Sequence, residues 1–491
     1  MSKAGDKQSK TPLQVRLMIG DCPLDEGSGG FHTHINPATG KPQAEIPLAG
    51  VTEIDQAVEA AERAFEIWRR VPGAERRDLL LRLAGLIREN AAEFGRLAAL
   101  DCGIPVMVGG TFAPQIAAEW ITYYAGWADK IEGQVVLSYP SDDFAYTLSE
   151  PYGVIGMITT WNGPLVSLGM KVPAALAAGN TVVIKPSEIS PFVTQFFAEL
   201  VERAGFPAGV VNMVPGGPAA GQRLVEHPAV QKVSFTGGPV TARKIMHSCA
   251  EALKPMVMEL GGKACNLIFA DADLDNAAEQ AVYESLGVLS GQACAIPSRV
   301  AIEHSVYDEV VEKMASIASK LPVGDPFDPA TLVGPLISEA AVKRVKGLVD
   351  EAASSGRMRL VMGGERCGGD LAGGYYMAPT LFADVDPQDP LAQGEIFGPV
   401  LTIHRFNNEE EAIAIANATP YGLGGYLHTS NIKRGHRVAA ALKTGNVYIN
   451  RARTLAAQVP FGGVGISGFG REGGRPGLEE FLRHKNIGLS Q

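Results

Sequence analysis

Between Val154 and Phe269, five short runs rich in branched apolar residues alternate with longer segments of helical periodicity: VIGMIT, TVVIK, VVNMV, KVSFTG and CNLIFA. Runs this continuous are buried on both faces, and strands separated by helices pair in parallel through crossover connections. Gly179 and Gly205 stand where the left-handed residue after a helix belongs. The rhythm therefore predicts a doubly wound parallel sheet with ligands at the carboxyl ends of its strands. After Ala270 the alternation resumes through RVAIEH, a helix from Tyr307, RLVMGG, VLTIHR and GNVYIN. A chain of 491 residues exceeds what one core serves, so a second α/β domain is expected.

Upstream, residues 1–20 read as a polar arm leading into short strands, and Ile35 to Gly50 has the spacing of turns between strands. From Thr52 the pattern is helical, with Val58, Ala61, Phe65 and Trp68 on one face and a resemblance to a capping box over Thr52 to Asp55. A second helix carries Leu79, Leu83, Leu86, Ile87 and Phe94. A net charge of −10 argues against nucleic acid or an anionic membrane surface as the partner. The opening MSKAGDKQSK lacks the apolar segment of a signal peptide, and no apolar run has the length of a membrane span. Six cysteines are scattered singly with no CxxC, which fits a reducing compartment and a cytoplasmic protein. DADLD (Asp271–Asp275) has Asn276 where a calcium loop needs glycine, so it reads as a helix start; His32 and His34 lack a third ligand, and no metal is expected.

Several short motifs at the strand ends carry chemistry. TTWNGPL (Thr159–Leu165) offers the Asn162 amide as a donor to a developing oxyanion, or as a turn former beside Gly163 and Pro164. IKPSE places Lys185 and Glu188 to bind the two hydroxyls of an adenosine ribose, with Glu188 repelling a 2′-phosphate; it also reads as a helix entry with Ser187 as cap and Pro191 in the first turn. FTGG (Phe235–Gly238) opens a helix whose N–H groups suit a pyrophosphate. In ELGGK (Glu259–Lys263) two glycines let a ligand or another backbone approach closely. GVLSGQACAIPSR holds Cys294 between two alanines. A lone cysteine is ordinarily core filler, so its neighbours must decide its role. No GxGxxG occurs, since GGPAAG from Gly216 has the wrong spacing, and no histidine has a motif context that would partner Cys294.

Together with GEIFGPV (Gly394–Val400) and PFGGVGISGFGRE (Pro460–Glu472), these motifs resemble, in order and separation, those of the aldehyde dehydrogenase superfamily, in its hydrolytic, NAD(P)-dependent, non-CoA-acylating form. The resemblance runs from Ile35 to the C-terminus. It implies two Rossmann-like doubly wound domains, a nucleotide-binding one over 1–132 and 149–260 and a catalytic one over 261–461. A small β oligomerisation element of 133–148 with 462–491 would support a homodimer or homotetramer.

By motif position the resemblance makes Cys294 the nucleophile and Glu259 the general base, with Asn162 and the backbone N–H of Cys294 as the oxyanion hole. It places the cofactor along Thr159, Thr160 and Trp161, its adenosine ribose on Lys185, Ser187 and Glu188, and its pyrophosphate near Gly216, Phe235, Gly237 and Gly238. Leu260, Gly261, Glu395 and Phe397 would meet the nicotinamide half. Acidic Glu188 favours NAD over NADP. Departures are a loop from Gly216 one residue shorter than usual, Gly238 in place of a serine, and GVGISG where a lysine-containing motif is frequent.

The substrate tunnel implied by the resemblance is lined by Ile116, Trp120, Gly163, Val166, Ser167, Met170, Ala293, Ala295, Leu455 and Phe461. Several of these are smaller than the aromatics common in the family, so a bulky hydrophobic aldehyde is expected: terpenoid, aromatic or medium-chain. Arg451 and Arg453 suggest an alternative, a semialdehyde with a distal carboxylate. A further alternative releases the acyl group to coenzyme A, against which the retained Glu259 speaks.

Overall fold

The computed structural model describes residues 14–137, 143–450 and 455–490. It begins with an antiparallel hairpin of β1 (Phe31–Asn36) and β2 (Lys41–Pro47). The helices Val51–Trp68, Gly73–Glu89, Ala91–Cys102 and Ala113–Ala125 follow, then β3 (Val135–Leu137) and β4 (Phe144–Pro151). Five parallel strands come next: β5 (Val154–Ile158), β6 (Thr181–Lys185), β7 (Val211–Met213), β8 (Val230–Thr236) and β9 (Met256–Glu259). A second sheet comprises β10 (Cys265–Ile268), β11 (Arg299–Glu303), β12 (Arg359–Met362), β13 (Thr380–Ala383), β14 (Val400–Phe406), β15 (Gly424–His428) and β16 (Asn446–Ile449). β17 (Gly468–Phe469) and β18 (Leu482–Leu489) close the chain.

The first sheet has the order β17-β9-β8-β5-β6-β7, and the second β12-β13-β14-β11-β10-β15-β16. Every strand of the first runs parallel except β17, and every strand of the second except β12. The five runs read from the sequence are β5 to β8 and β10, and each residue of β6 is buried, as an apolar run between two helical layers requires. Gly179 and Gly205 take φ of +94° and +87° after the helices Pro164–Ala177 and Pro191–Arg203. The third sheet, β18-β4-β3, joins the C-terminal strand to the segment near residue 133, whereas β17 leaves that unit and pairs with β9.

Three local expectations are corrected. The box at the first helix is set two residues earlier: Gly50 is the cap, and the Glu53 carboxylate accepts its N–H at 2.8 Å and the Ser28 hydroxyl at 2.6 Å. Phe94 belongs to Ala91–Cys102, because the chain breaks helical geometry at Asn90, so Leu79 to Phe94 is not one face. Ser187 does not cap Pro191–Arg203. Its cap position is Ser190, and its free N–H groups go to a distant carboxylate: Asp101 accepts from Phe192 at 2.9 Å and Val193 at 2.8 Å. Asp101 is 1% exposed, so its removal leaves two buried donors unpaired. Asp101→Ala is expected to cost about 2–3 kcal/mol and Asp101→Asn less, read as a fall in the thermal unfolding temperature. Equal temperatures for Ala variant and parent would refute the cap.

Candidate active site

The registers of the first sheet bring its motif-bearing ends together. Ile158 lies opposite both Lys185 and Phe235, and Thr236 lies opposite Glu259. Thr159–Asn162, Lys185–Glu188, Gly237–Gly238 and Glu259–Gly262 therefore emerge along one carboxyl edge. Between β5 and β8 the chain order reverses, which is where doubly wound sheets open a crevice. Only Leu260–Ala264 separates β9 from β10, so the carboxyl edge of the first sheet faces the amino edge of the second. Cys294 sits on that amino edge, five residues before β11.

The glycines of ELGGK work as close-approach points. A Cβ on Gly261 would overlap the Glu395 carboxylate, and one on Gly262 would overlap the Cys294 carbonyl oxygen. Gly262 also donates its N–H to Glu395 Oε1 at 3.0 Å. The Cys294 loop and the Glu395 loop thus rest on the same pair of glycines.

Upstream of Cys294 the chain makes a π-helical turn, Tyr283–Gly287, then left-handed residues at Leu289, Ser290 and Gly291. Such backbone persists where side chains hold it. Ser290 Oγ donates to the Gly334 carbonyl at 2.9 Å, and Gln292 donates to the Leu289 and Pro335 carbonyls while accepting from Ile337. The Asn162 amide donates to the Gln292 carbonyl at 2.7 Å, and its own oxygen accepts from Thr160. Asn162 is thereby oriented beside the Cys294 loop, with one amide hydrogen that no hydrogen bond among the described residues takes up.

Cys294 is half-buried, and its thiol is pushed up to about 12, first by burial and then by the nearby carboxylates of Glu259 and Glu395. Glu259 is 4% exposed, and neither of its oxygens has a partner among the described residues. Burial and the adjacent Glu472 hold its pKa well above the carboxylate range, opposed by Lys171 and Arg471. A Cβ on Gly462 would come within 2.9 Å of Glu259 Oε1, so the C-terminal glycine segment covers this carboxylate.

Lys171, Glu472, Gln292 and Arg344 were missed from sequence. Lys171 donates to Glu472 and to Ser234 Oγ, deep in the helix Pro164–Ala177. Its signal is the single charge in a helix of otherwise uncharged residues. Arg344 is close enough to Glu395 for the two charges to influence each other.

The expected cofactor residues divide similarly. Lys185 is buried, donates to the Gly216 carbonyl and lies 3.5 Å from Glu188 Oε2, while Ser187 is half-buried beside them. Thr159 and Phe235 are buried, and Trp161 meets Phe397 edge-on with ring centroids 5.5 Å apart. Phe397 holds a φ of +52°, a strained setting for a side chain at a site wall. Leu260 donates to the Ser467 carbonyl, and Ser467 Oγ donates to Gly261. At the start of the helix Pro239–Glu251 nothing lies within 4 Å of a Cβ built on Gly238, whereas one on Gly237 would meet the Phe235 ring. This open cradle at a helix N-terminus, with Lys185 and Glu188 nearby, fits a dinucleotide.

Seven of the ten expected tunnel residues belong to one apolar cluster or pack against it. Ile116, Trp120, Met170 and Phe461 are buried in it, and Val166, Leu455, Cys294 and Ala295 pack against it. The helices Ala113–Ala125 and Pro164–Ala177 touch so closely that a Cβ on Gly169 would sit 2.6 Å from the Ala117 Cα. Trp120 Nε1 donates to the Leu455 carbonyl at 2.9 Å. Gly163 and Ala293 are half-buried near the thiol's segment, and Ser167 is 8% exposed. Arg451 and Arg453 lie outside the described residues.

The model of the family described as "Aldehyde dehydrogenase family" matches residues 25–487. Retinal dehydrogenase 2 of Mus musculus is 39% identical over 478 residues, covering 96% of this chain and 91% of its own. PnpE from Pseudomonas sp. WBC-3, solved in complex with nicotinamide adenine dinucleotide, superimposes with a TM-score of 0.94 at 38% identity, over 97% of this chain and 98% of its own. An E. coli NADP-dependent enzyme gives a TM-score of 0.94 at 35% identity with the same coverage.

Proposed function

Because the chain belongs to the aldehyde dehydrogenase family, we propose that it oxidises a bulky hydrophobic aldehyde to the carboxylic acid, with NAD as the preferred acceptor. The observation that carries the reading is the buried Glu259 carboxylate, without a partner among the described residues, charge-coupled to a half-buried Cys294 thiol. A buried, unpaired carboxylate costs stability, and such groups concentrate where chemistry needs them.

Cys294 loses its thiol proton to solvent and its sulfur bonds to the aldehyde carbon, while the carbonyl π electrons move to oxygen. The Cys294 N–H and the free hydrogen of the Asn162 amide hold the resulting oxyanion. NAD, when bound, supplies the acceptor for the hydride that the thiohemiacetal releases. As that hydride leaves, the oxyanion collapses to re-form the carbonyl, and a thioester remains on Cys294. Glu259 removes a proton from water, the hydroxide adds to the thioester carbon, and the carbon–sulfur bond breaks to free the acid. Lys171 and Glu472 form a buried charge pair that sets the field on Glu259.

Preference for NAD is supported by Glu188, whose carboxylate beside Lys185 would repel a 2′-phosphate. The hydrophobic substrate is supported by the apolar cluster around Cys294 and by a relative at 39% identity named for retinal. Self-association is supported by β3 on the edge of its sheet, where Val135 is 71% and Leu137 is 82% exposed.

Initial-rate NADH formation at 340 nm across apolar, short-chain and carboxylate-bearing aldehydes, with NAD and NADP run in parallel, tests the reading. The highest kcat/KM is expected for bulky apolar aldehydes with NAD. A best value for semialdehydes would move specificity to Arg451 and Arg453. A strict requirement for added coenzyme A would sink the hydrolytic assignment.

A further inference from the structure

The loop that carries Cys294 is fixed upstream by the hydrogen bonds of Gln292 and Ser290. Downstream, the Tyr426 hydroxyl donates to the Ala295 carbonyl at 2.8 Å across 131 residues of chain. Tyr426 is 4% exposed and stands on β15, opposite Asn266 of β10 and Tyr448 of β16. Its ring packs on Tyr448 with centroids 5.1 Å apart. Burial raises its phenol well above the ordinary value, so the hydroxyl stays a donor throughout the working range.

The strand is shaped for this bond. Gly424, two residues before Tyr426 and so on the same face, has no side chain where the Ala295 carbonyl comes down. A Cβ there would sit 3.2 Å from that oxygen and 3.6 Å from the Tyr426 ring. The Cys294 carbonyl rests on Gly262 in the same way. Two successive carbonyls thus lie over two glycines, and the second is also pinned by a phenol.

We propose that Tyr426 is a positioning residue for the nucleophile: by holding the Ala295 carbonyl it fixes the downstream end of the Cys294 loop and aims both the sulfur and the Cys294 N–H at the carbonyl to be attacked. The inference rests on the assignment of Cys294 as nucleophile. Misplacement of a reacting group by a fraction of an ångström is costly in rate, whereas a nucleotide bound on the opposite sheet does not sense it. Tyr426→Phe keeps the ring and its packing and removes only the pin.

The experiment compares Tyr426→Phe with the parent enzyme in kcat, KM, NAD affinity by calorimetry, and the second-order rate of Cys294 alkylation by iodoacetamide in the NAD-bound enzyme from pH 6 to 10. The expected result is a fall in kcat of about tenfold, unchanged NAD affinity, and a displaced alkylation profile. Gly424→Ala, which pushes the carbonyl from the hydroxyl while leaving Tyr426 intact, is expected to act in the same direction. Parent-like kcat and alkylation in either folded variant would overturn the proposal, as would a lowered unfolding temperature with the thiol profile unmoved. If alkylation of Cys294 in the parent leaves turnover intact, the nucleophile assignment itself fails, and that outcome is distinct from parent-like behaviour of the variants.

Discussion

Cys294→Ala is expected to lower aldehyde turnover by at least about 10⁴-fold while NAD binds with parental affinity. The split follows from where the two functions sit. The thiol belongs to the loop before β11 at the amino edge of the second sheet, whereas Thr159–Trp161, Lys185–Glu188 and Gly237–Gly238 end strands of the first. Replacing sulfur by hydrogen leaves in place the hydrogen bonds that hold this loop among the described residues, which come from Gln292, Ser290 and Tyr426 on either side. Calorimetric titration with NAD and a steady-state assay on one preparation check both halves. Residual activity within tenfold of the parent would refute the nucleophile, and loss of NAD binding would show that the loop had been disturbed instead.

The resting state of that thiol sharpens the expectation. With its pKa pushed up to about 12 by burial and two carboxylates, it is protonated at neutral pH. Forming the thiolate then depends on a positive neighbour supplied when the reactants bind and on loss of the proton to solvent. Alkylation of the enzyme without cofactor should therefore be slow, since a thiol held protonated presents little thiolate.

The sheet rhythm was legible because buried parallel strands must be apolar on both faces, a demand that leaves visible runs such as TVVIK. β15 escaped notice for the opposite reason. It begins Gly424-Gly425, and glycine is disfavoured in strands unless another backbone must come close, as the Ala295 carbonyl does here. Motif order singles out Asn162, Glu259 and Cys294 as candidates, and the registers bring the strand ends that bear the first two together. The pair Lys171–Glu472 spans 301 residues, so no local spacing could join them. The cap on Pro191–Arg203 is not legible locally, because the carboxylate that accepts from Phe192 and Val193 belongs to Asp101, adjacent in space and some ninety residues away in sequence.

Glu259→Gln should separate the two halves of the reaction. If Glu259 serves chiefly to activate water, hydride release precedes its task, and the variant should still give a rapid burst of about one NADH per active site before stalling as the thioester. Steady-state turnover should fall by about 10²–10⁴-fold. The pH dependence follows from the sign of the shift. Burial and Glu472 raise the carboxyl's pKa, and the active form is the ionised one, so parental kcat should climb as pH rises through that elevated value. Glutamine cannot ionise, and the climb should disappear with it. Rapid-mixing measurement of NADH at several pH values reads all of this at once. A parental steady state would remove Glu259 from catalysis. Loss of the burst together with the steady state would place its essential step earlier, at deprotonation of the Cys294 thiol, a role the same charge coupling between the two groups would also serve.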